Sequence, residues 1–234
     1  MFMEKLSRNH WVFNRPVAHR GLADLEGFVE NTLPAFINSA VKGYPIETDI
    51  RLTADGEVVC FHDGDLKRLA GREEKIEDLT SEQIREVVLE KGQKICFFDE
   101  FLNHIDGKVP LVIELKDHQD KKLVEKAVER LKSYNGEYVF ISFDPRLLYE
   151  ARKLAPDVLR GQLIVGSEKH PKLDKLKWSV VNLRAKPHFI DHYIENLHTP
   201  YKYTICWTVR NKEQLEKAKR LGVNVTFEDE NLLK

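Results

Sequence analysis

The sequence predicts an α/β fold, a single (β/α)8 barrel spanning residues 1–234, on three observations. Short apolar runs alternate with longer stretches of helical periodicity from end to end, with no Pro/Gly/Ser-rich linker between them. The length of 234 residues falls near the lower limit for eight strand-helix units, about 200–250 residues. Charged and polar residues suited to chemistry stand where predicted strands run into their following loops, which is where such a barrel carries its active site. Neither GxGxxG nor GxxxxGK[ST] occurs, which disfavours a nucleotide-binding doubly wound sheet.

Pro16-Val17-Ala18 reads as the first strand, ending at His19. Asn31 is placed to cap the next helix, with Pro34 in its first turn, Leu33, Phe36, Ile37 and Ala40 at helical spacing, and Gly43 as its stop. Ile46–Leu52 is the second strand. Ala54-Asp55-Gly56 turns the chain so that Glu57–Phe61 returns as an extended segment ending at His62. Residues 63–94 form a polar insertion with one helix, capped by Thr80 or Ser81 and carrying Ile84, Val87 and Val88. A short helix follows at Phe98–Ile105, a strand at Val109–Leu115, and an amphipathic helix at His118–Ser133. Tyr138–Ser142 is a strand, and Pro145 opens the helix after it. Leu159–Val165, Val180–Leu183, Phe189–Asp191, Tyr203–Trp207 and Val223–Phe227 are further strands. Lys212–Leu221 is a helix stopped by Gly222, and only a short final helix fits after the last strand.

The balance of 37 basic against 38 acidic residues gives a formal charge of −1, without the basic excess of a nucleic-acid binder. Cys60, Cys96 and Cys206 are widely spaced and form no CxxC, so they read as reduced, buried thiols. The N-terminus, with Glu4, Lys5, Arg8 and His10, lacks the apolar core of a signal peptide, and no stretch approaches the ~20 apolar residues of a membrane span. A cytoplasmic protein is expected.

Four short motifs carry the chemistry: His19-Arg20-Gly21, Glu30-Asn31, Glu47-Thr48-Asp49 and His62-Asp63. Glu47 and Asp49 are two apart on a strand and point to one face. Paired carboxylates suit a hard divalent cation, and imidazoles near them suit proton transfer near pH 7. Together they fit metal-assisted phosphate ester cleavage. Glu114 ends a further strand, and Lys116, two residues on, can face the same mouth. The other seven histidines, His10, His104, His118, His170, His188, His192 and His198, end no strand beside such a motif and read as structural.

In this order the motifs resemble the signature of the glycerophosphodiester phosphodiesterase family, bacterial cytoplasmic type. The resemblance extends through Thr53-Ala54-Asp55-Gly56, Leu66-Lys67-Arg68, Ile113-Glu114-Leu115-Lys116, Ser142-Phe143-Asp144-Pro145 and Trp207-Thr208-Val209, nearly the whole chain. It implies a barrel of that phosphodiesterase type and hydrolysis of a small-molecule glycerophosphodiester to glycerol 3-phosphate and an alcohol. It implies one divalent ion, Mg²⁺ or Ca²⁺ with Mn²⁺ as an alternative, on Glu47, Asp49 and Glu114. His19 and His62 would act as general acid and base, and Arg20 and Lys116 would hold the phosphate. In this family the attacking group can be the glycerol hydroxyl beside the phosphate, giving a cyclic phosphate that water then opens.

Around this set, Asp63 can hold the His62 ring, and Glu30 either orients Arg20 or favours the helix N-terminus. For Asn31 the cap role is favoured. Phe143 and Trp207 either wall the pocket for the departing alcohol or pack in the core. The ending Val225-Thr226-Phe227-Glu228-Asp229 departs from the commoner family ending, a difference bearing on substrate choice more than on reaction type. Alternatives are a phospholipase-D-like hydrolase of lysophospholipids, a catalytically silent phosphodiester-binding barrel, and a zinc hydrolase with histidine ligands.

Overall fold

The computed structural model describes residues 6–23, 27–116, 121–166 and 184–234. Ten strands are present among them: β1 (Val17–Ala18), β2 (Ile46–Leu52), β3 (Val58–Cys60), β4 (Cys96–Phe97), β5 (Leu111–Leu115), β6 (Tyr138–Ser142), β7 (Arg160–Ile164), β8 (Phe189–Tyr193), β9 (Thr204–Val209) and β10 (Asn224–Phe227). Eight of them run parallel in the order β1-β2-β5-β6-β7-β8-β9-β10, and β10 pairs back to β1 to close the ring. The predicted barrel is therefore the observed one. β3 and β4 are antiparallel additions on β2, with Ile50 opposite Cys60 and Cys60 opposite Cys96.

Strand alternation divides the interior. On β5, Leu111, Ile113 and Leu115 face outward into the layer under the helices, where they join Phe101, Leu102, Ile105, Leu123 and Val124. Val112 instead joins Val17, Val139, Ile141, Leu163, Phe189 and Ile205 inside the ring. Glu114 lies two after Val112, and so shares the inner face at the open end of the strand. The same alternation turns Ile46 and Ile50 of β2 outward and Glu47 and Asp49 inward.

Among the described residues the α-helices are α1 (Leu33–Val41), α2 (Lys67–Ala70), α3 (Ser81–Glu86), α4 (Phe98–Ile105), α5 (Lys121–Leu131), α6 (Pro145–Leu154) and α7 (Lys212–Leu221). Their ends follow local chemistry. Thr80 and Gln83 form a capping box on α3, Asp144 caps α6 ahead of Pro145, and Asn211 and Gly222 bracket α7. Phe36 of α1 lies 4.2 Å, centroid to centroid, from Phe101 of α4, so two outer helices share one aromatic contact.

Three expectations change. Thr32, not Asn31, occupies the N-cap of α1, because Asn31 adopts left-handed backbone (φ 56°) and turns its side chain inward. The polar insertion holds α2 as well as α3, since a four-residue helix is too short to show periodicity. The strand around Phe189 continues to Tyr193. The predicted strand Val180–Leu183, the residues of the α5 prediction before Lys121, and His118 and His170 lie outside the described residues. Cys60, Cys96 and Cys206 are free and buried. Among the described residues no helix is long and apolar enough to cross a membrane.

Candidate active site

At the open end of the ring, Glu47, Asp49 and Glu114 each direct a carboxylate oxygen to a common point, all within 4.8 Å of one another and all buried. The β2–β5 register sets Asp49 directly opposite Glu114, so neighbouring strands deliver the acids side by side. Two full negative charges at that separation repel by about 3 kcal/mol at an effective dielectric near 20. The protein compensates with cations. Lys116 Nζ is 3.0 Å from Glu114 Oε1 and 3.2 Å from Asp49 Oδ1, and Arg20 Nε is 3.2 Å from Asp49 Oδ2.

Burial, then the neighbouring Asp49, pushes the Glu47 carboxyl well above its ordinary range. Burial also raises Glu114, to about 7, against the pull of Lys116. Burial opposes ionisation of Asp49 too, but Lys116 and Arg20 outweigh it and hold Asp49 well below the usual carboxylate range. Two cations thus leave a three-carboxylate cluster short of positive charge.

The loop after β1 is built around this cluster. His19 N donates to Phe227 O at 2.9 Å, continuing the ladder with β10. Arg20 turns into left-handed backbone (φ 53°), which aims its own N–H at Glu47 Oε2, 2.9 Å away. Gly21 follows at φ 78°, and a Cβ there would lie 2.8 Å from the carbonyl carbon of Ala35, so only glycine lets the loop meet α1. Asn31 Nδ2 donates to Asp49 Oδ2 at 2.8 Å, while its Oδ1 accepts from Thr48 Oγ1 at 2.9 Å and from Asp49 N at 3.3 Å. Its amide is spent on Thr48 and Asp49, which is why it does not cap α1.

The two histidines are held alike. His19 Nδ1 is 2.9 Å from Glu228 Oε1, and its Nε2 lies 3.9 Å from Glu47 Oε2. His62 Nδ1 is 2.7 Å from Asp63 Oδ1. Burial lowers His19 despite the Glu228 hydrogen bond, and lowers His62 to about 4. Asp49, Lys116 and Arg20 are near enough for their charges to act on the His62 ring. Glu30 receives Arg20 Nη1 at 2.8 Å, so of its two expected roles it takes the ion pair with Arg20.

Phe143 and Trp207 meet edge to face, 5.5 Å apart at 82°, and Trp207 Nε1 donates to Asp191 O at 3.3 Å. Both rings are half-buried against the inner core of the barrel, so each packs below while leaving an edge at the mouth.

Four arginine and glutamate side chains in this region have no role in the sequence-based expectation. Arg68 bridges Glu30 Oε1 (2.6 Å) and Asp63 Oδ2 (2.6 Å), tying the supports of Arg20 and His62 together. Arg51 donates twice to His62 O, at 2.7 and 3.0 Å. Its position two after Asp49 on β2 was the available signal. Arg210 grips Glu228 with Nε and Nη2 at 2.6 and 2.8 Å. Each of these two follows the end of a barrel strand.

The donor set fits a hard divalent cation. The convergent ligand atoms are all buried carboxylate oxygens, three acids against the ammonium of Lys116 and the guanidinium of Arg20. Both histidines carry carboxylate partners on Nδ1, and neither belongs to the convergent set found among the described residues.

Residues 19–231 match the glycerophosphoryl diester phosphodiesterase family. The chain is 30% identical over 233 residues to a glycerophosphodiester phosphodiesterase of Caldanaerobacter subterraneus subsp. tengcongensis, a match covering 93% of this chain and 95% of the relative. Among solved structures it is similar to a glycerophosphodiester phosphodiesterase from Thermotoga maritima, 25% identical with a TM-score of 0.71 over 93% of this chain and 95% of that one. It is also similar to an Oleispira antarctica phosphodiesterase in complex with the product sn-glycerol-3-phosphate, 20% identical with a TM-score of 0.79 over 92% of each chain. The last likeness speaks for the barrel alone.

Proposed function

The chain belongs to the glycerophosphoryl diester phosphodiesterase family and is a phosphoric diester hydrolase; from that premise we propose that it cleaves glycerophosphodiesters to glycerol 3-phosphate and an alcohol with His19 and His62 as the proton-transferring pair. The observation that carries this proposal is the buried, convergent Glu47, Asp49 and Glu114 set lying beside two carboxylate-anchored histidines.

These three carboxylates would hold one divalent ion, Mg²⁺, Ca²⁺ or Mn²⁺. When bound, it draws negative charge off the phosphate and so favours attack on an otherwise repelling monoanion. Half-buried Arg20 and buried Lys116, at the rim of the cluster, bind the phosphoryl oxygens, Arg20 as a planar fork and Lys116 as a point charge. The attacking oxygen is a hydroxyl of the substrate's own glycerol, next to the phosphate. One histidine accepts its proton at Nε2 as the new P–O bond forms. The other delivers a proton to the alkoxide as the old P–O bond breaks. The cyclic phosphate is then opened by water with the two proton transfers reversed. The Phe143–Trp207 corner borders the space where the alcohol departs. The chain works as one barrel domain in which residues 63–94 supply Asp63 and Arg68 to the mouth.

The test is turnover of glycerophosphocholine, -ethanolamine, -glycerol and -inositol with Mg²⁺, Mn²⁺ or Ca²⁺, with lysophosphatidylcholine as the comparison substrate. Activity on at least one glycerophosphodiester, abolished by EDTA and restored by metal, is expected. Turnover that survives EDTA unchanged refutes the metal site, and turnover of the lysolipid alone refutes the substrate class.

A further inference from the structure

We infer that Glu228, anchored by Arg210, is a positioning residue for His19 that fixes the hydrogen on Nδ1 and leaves the Nε2 lone pair facing the reaction site. This inference rests on the role proposed above for His19.

Three neighbouring strands bring the group together. His19 follows β1, Glu228 follows β10 and Arg210 follows β9, and these strands are adjacent in the ring. Two backbone hydrogen bonds extend the ladder past the strand ends: His19 N to Phe227 O at 2.9 Å and Glu228 N to Val209 O at 3.3 Å. The three side chains therefore start from a rigid seam rather than from free loops. Glu228 Oε1 takes both His19 Nδ1 (2.9 Å) and Arg210 Nη2 (2.8 Å), and Oε2 takes Arg210 Nε (2.6 Å). A carboxylate gripped on both oxygens by a guanidinium offers only lone pairs to the ring, so Nδ1 must be the protonated nitrogen. Nε2 is then an acceptor, turned toward the carboxylate cluster with Glu47 Oε2 3.9 Å away.

The arrangement is repeated at the second histidine, which is an independent sign that it is built rather than incidental. His62 Nδ1 meets Asp63 Oδ1 at 2.7 Å, and Arg68 Nε holds Asp63 Oδ2 at 2.6 Å. Each imidazole has an acid behind it and an arginine behind the acid. At His62 the acid is the next residue in sequence; at His19 it comes from the last strand of the ring.

The experiment compares Glu228→Ala and Glu228→Gln, with 15N NMR of the His19 ring in the wild type. In Glu228→Gln an amide oxygen at the Oε1 position still accepts from both His19 Nδ1 and Arg210 Nη2, so the hydrogen stays on Nδ1. Glu228→Ala removes that acceptor and leaves the tautomer unfixed. Glu228→Ala is expected to lose kcat by about 10–10²-fold with KM within roughly 3-fold, and Glu228→Gln to recover most of that loss. The wild-type ring should show hydrogen on Nδ1. Glu228→Ala turning over within about 3-fold of wild type, or hydrogen on Nε2 in the wild type, overturns the inference. The NMR result needs no substrate, so a failure of the proposed activity would show separately, as a wild type that hydrolyses no glycerophosphodiester.

Discussion

Replacing Asn31 separates two accounts of that residue by size. As a helix cap it would contribute about 1 kcal/mol, the ordinary cost of losing an Asn cap. As a buried support for the acidic strand it makes three hydrogen bonds, one of them to the ionised Asp49. The bond to the carboxylate is worth roughly 1.5–3 kcal/mol and the other two roughly 0.5–1.5 each. Asp49 keeps Arg20 and Lys116 after the change, so the lower half of the sum applies, about 3–4 kcal/mol. The backbone at φ 56° would add strain in an alanine variant, so Asn31→Gly is the cleaner substitution, because glycine takes that conformation freely. Urea unfolding of metal-free wild type and Asn31→Gly at pH 7, analysed by linear extrapolation, reads the difference directly. A loss of 1 kcal/mol or less would refute the supporting role and return Asn31 to the helix end.

Three further outcomes are expected. Gly21→Ala should cost about 2 kcal/mol or more in the same assay, since the added methyl meets the Ala35 backbone at 2.8 Å in left-handed backbone. Glu114→Gln should weaken Mg²⁺ or Mn²⁺ affinity by at least ~10-fold in isothermal titration calorimetry while the circular dichroism spectrum is kept, because it removes the charge of one of three convergent carboxylates. Burial, then Arg160, holds His188 down at about 4, below the ~6.5 of an unfolded chain. Between those values the unfolded state binds the extra proton, so this contribution is intact above pH 6.5 and is lost as pH falls toward 4. His188 Nδ1 accepts from Arg160 N at 3.1 Å, so His188→Asn should leave stability less dependent on pH across that window, as read by urea midpoints at pH 7 and 4.5.

Residues governed by strand alternation were the legible ones. A period of two places Glu47 beside Asp49 and Lys116 beside Glu114 without any knowledge of the ring. Asn31 escaped this logic because its position depends on left-handed backbone at one residue, for which an Asn followed by a helix gives the same signal as a cap. α2 escaped because four residues do not span enough turns to display a pattern. Arg68 stood in a recognisable run, but its two partners, Glu30 and Asp63, come from different loops, and only the folded chain shows that it joins them. Glu228 was visible as an unusual ending for the last strand, and its partner His19 lies 209 residues earlier. No local rule connects residues so far apart; ring closure does.

That closure has a consequence for when the protein becomes competent. The seam between β1 and β10 joins the earliest and latest segments of the barrel, and His19 meets Glu228 across it. During synthesis the acids of β2 and β5 leave the ribosome long before residue 228 does. Until residue 228 is in place His19 lacks its carboxylate partner. If His19 transfers a proton as proposed, hydrolysis waits on closure of the ring.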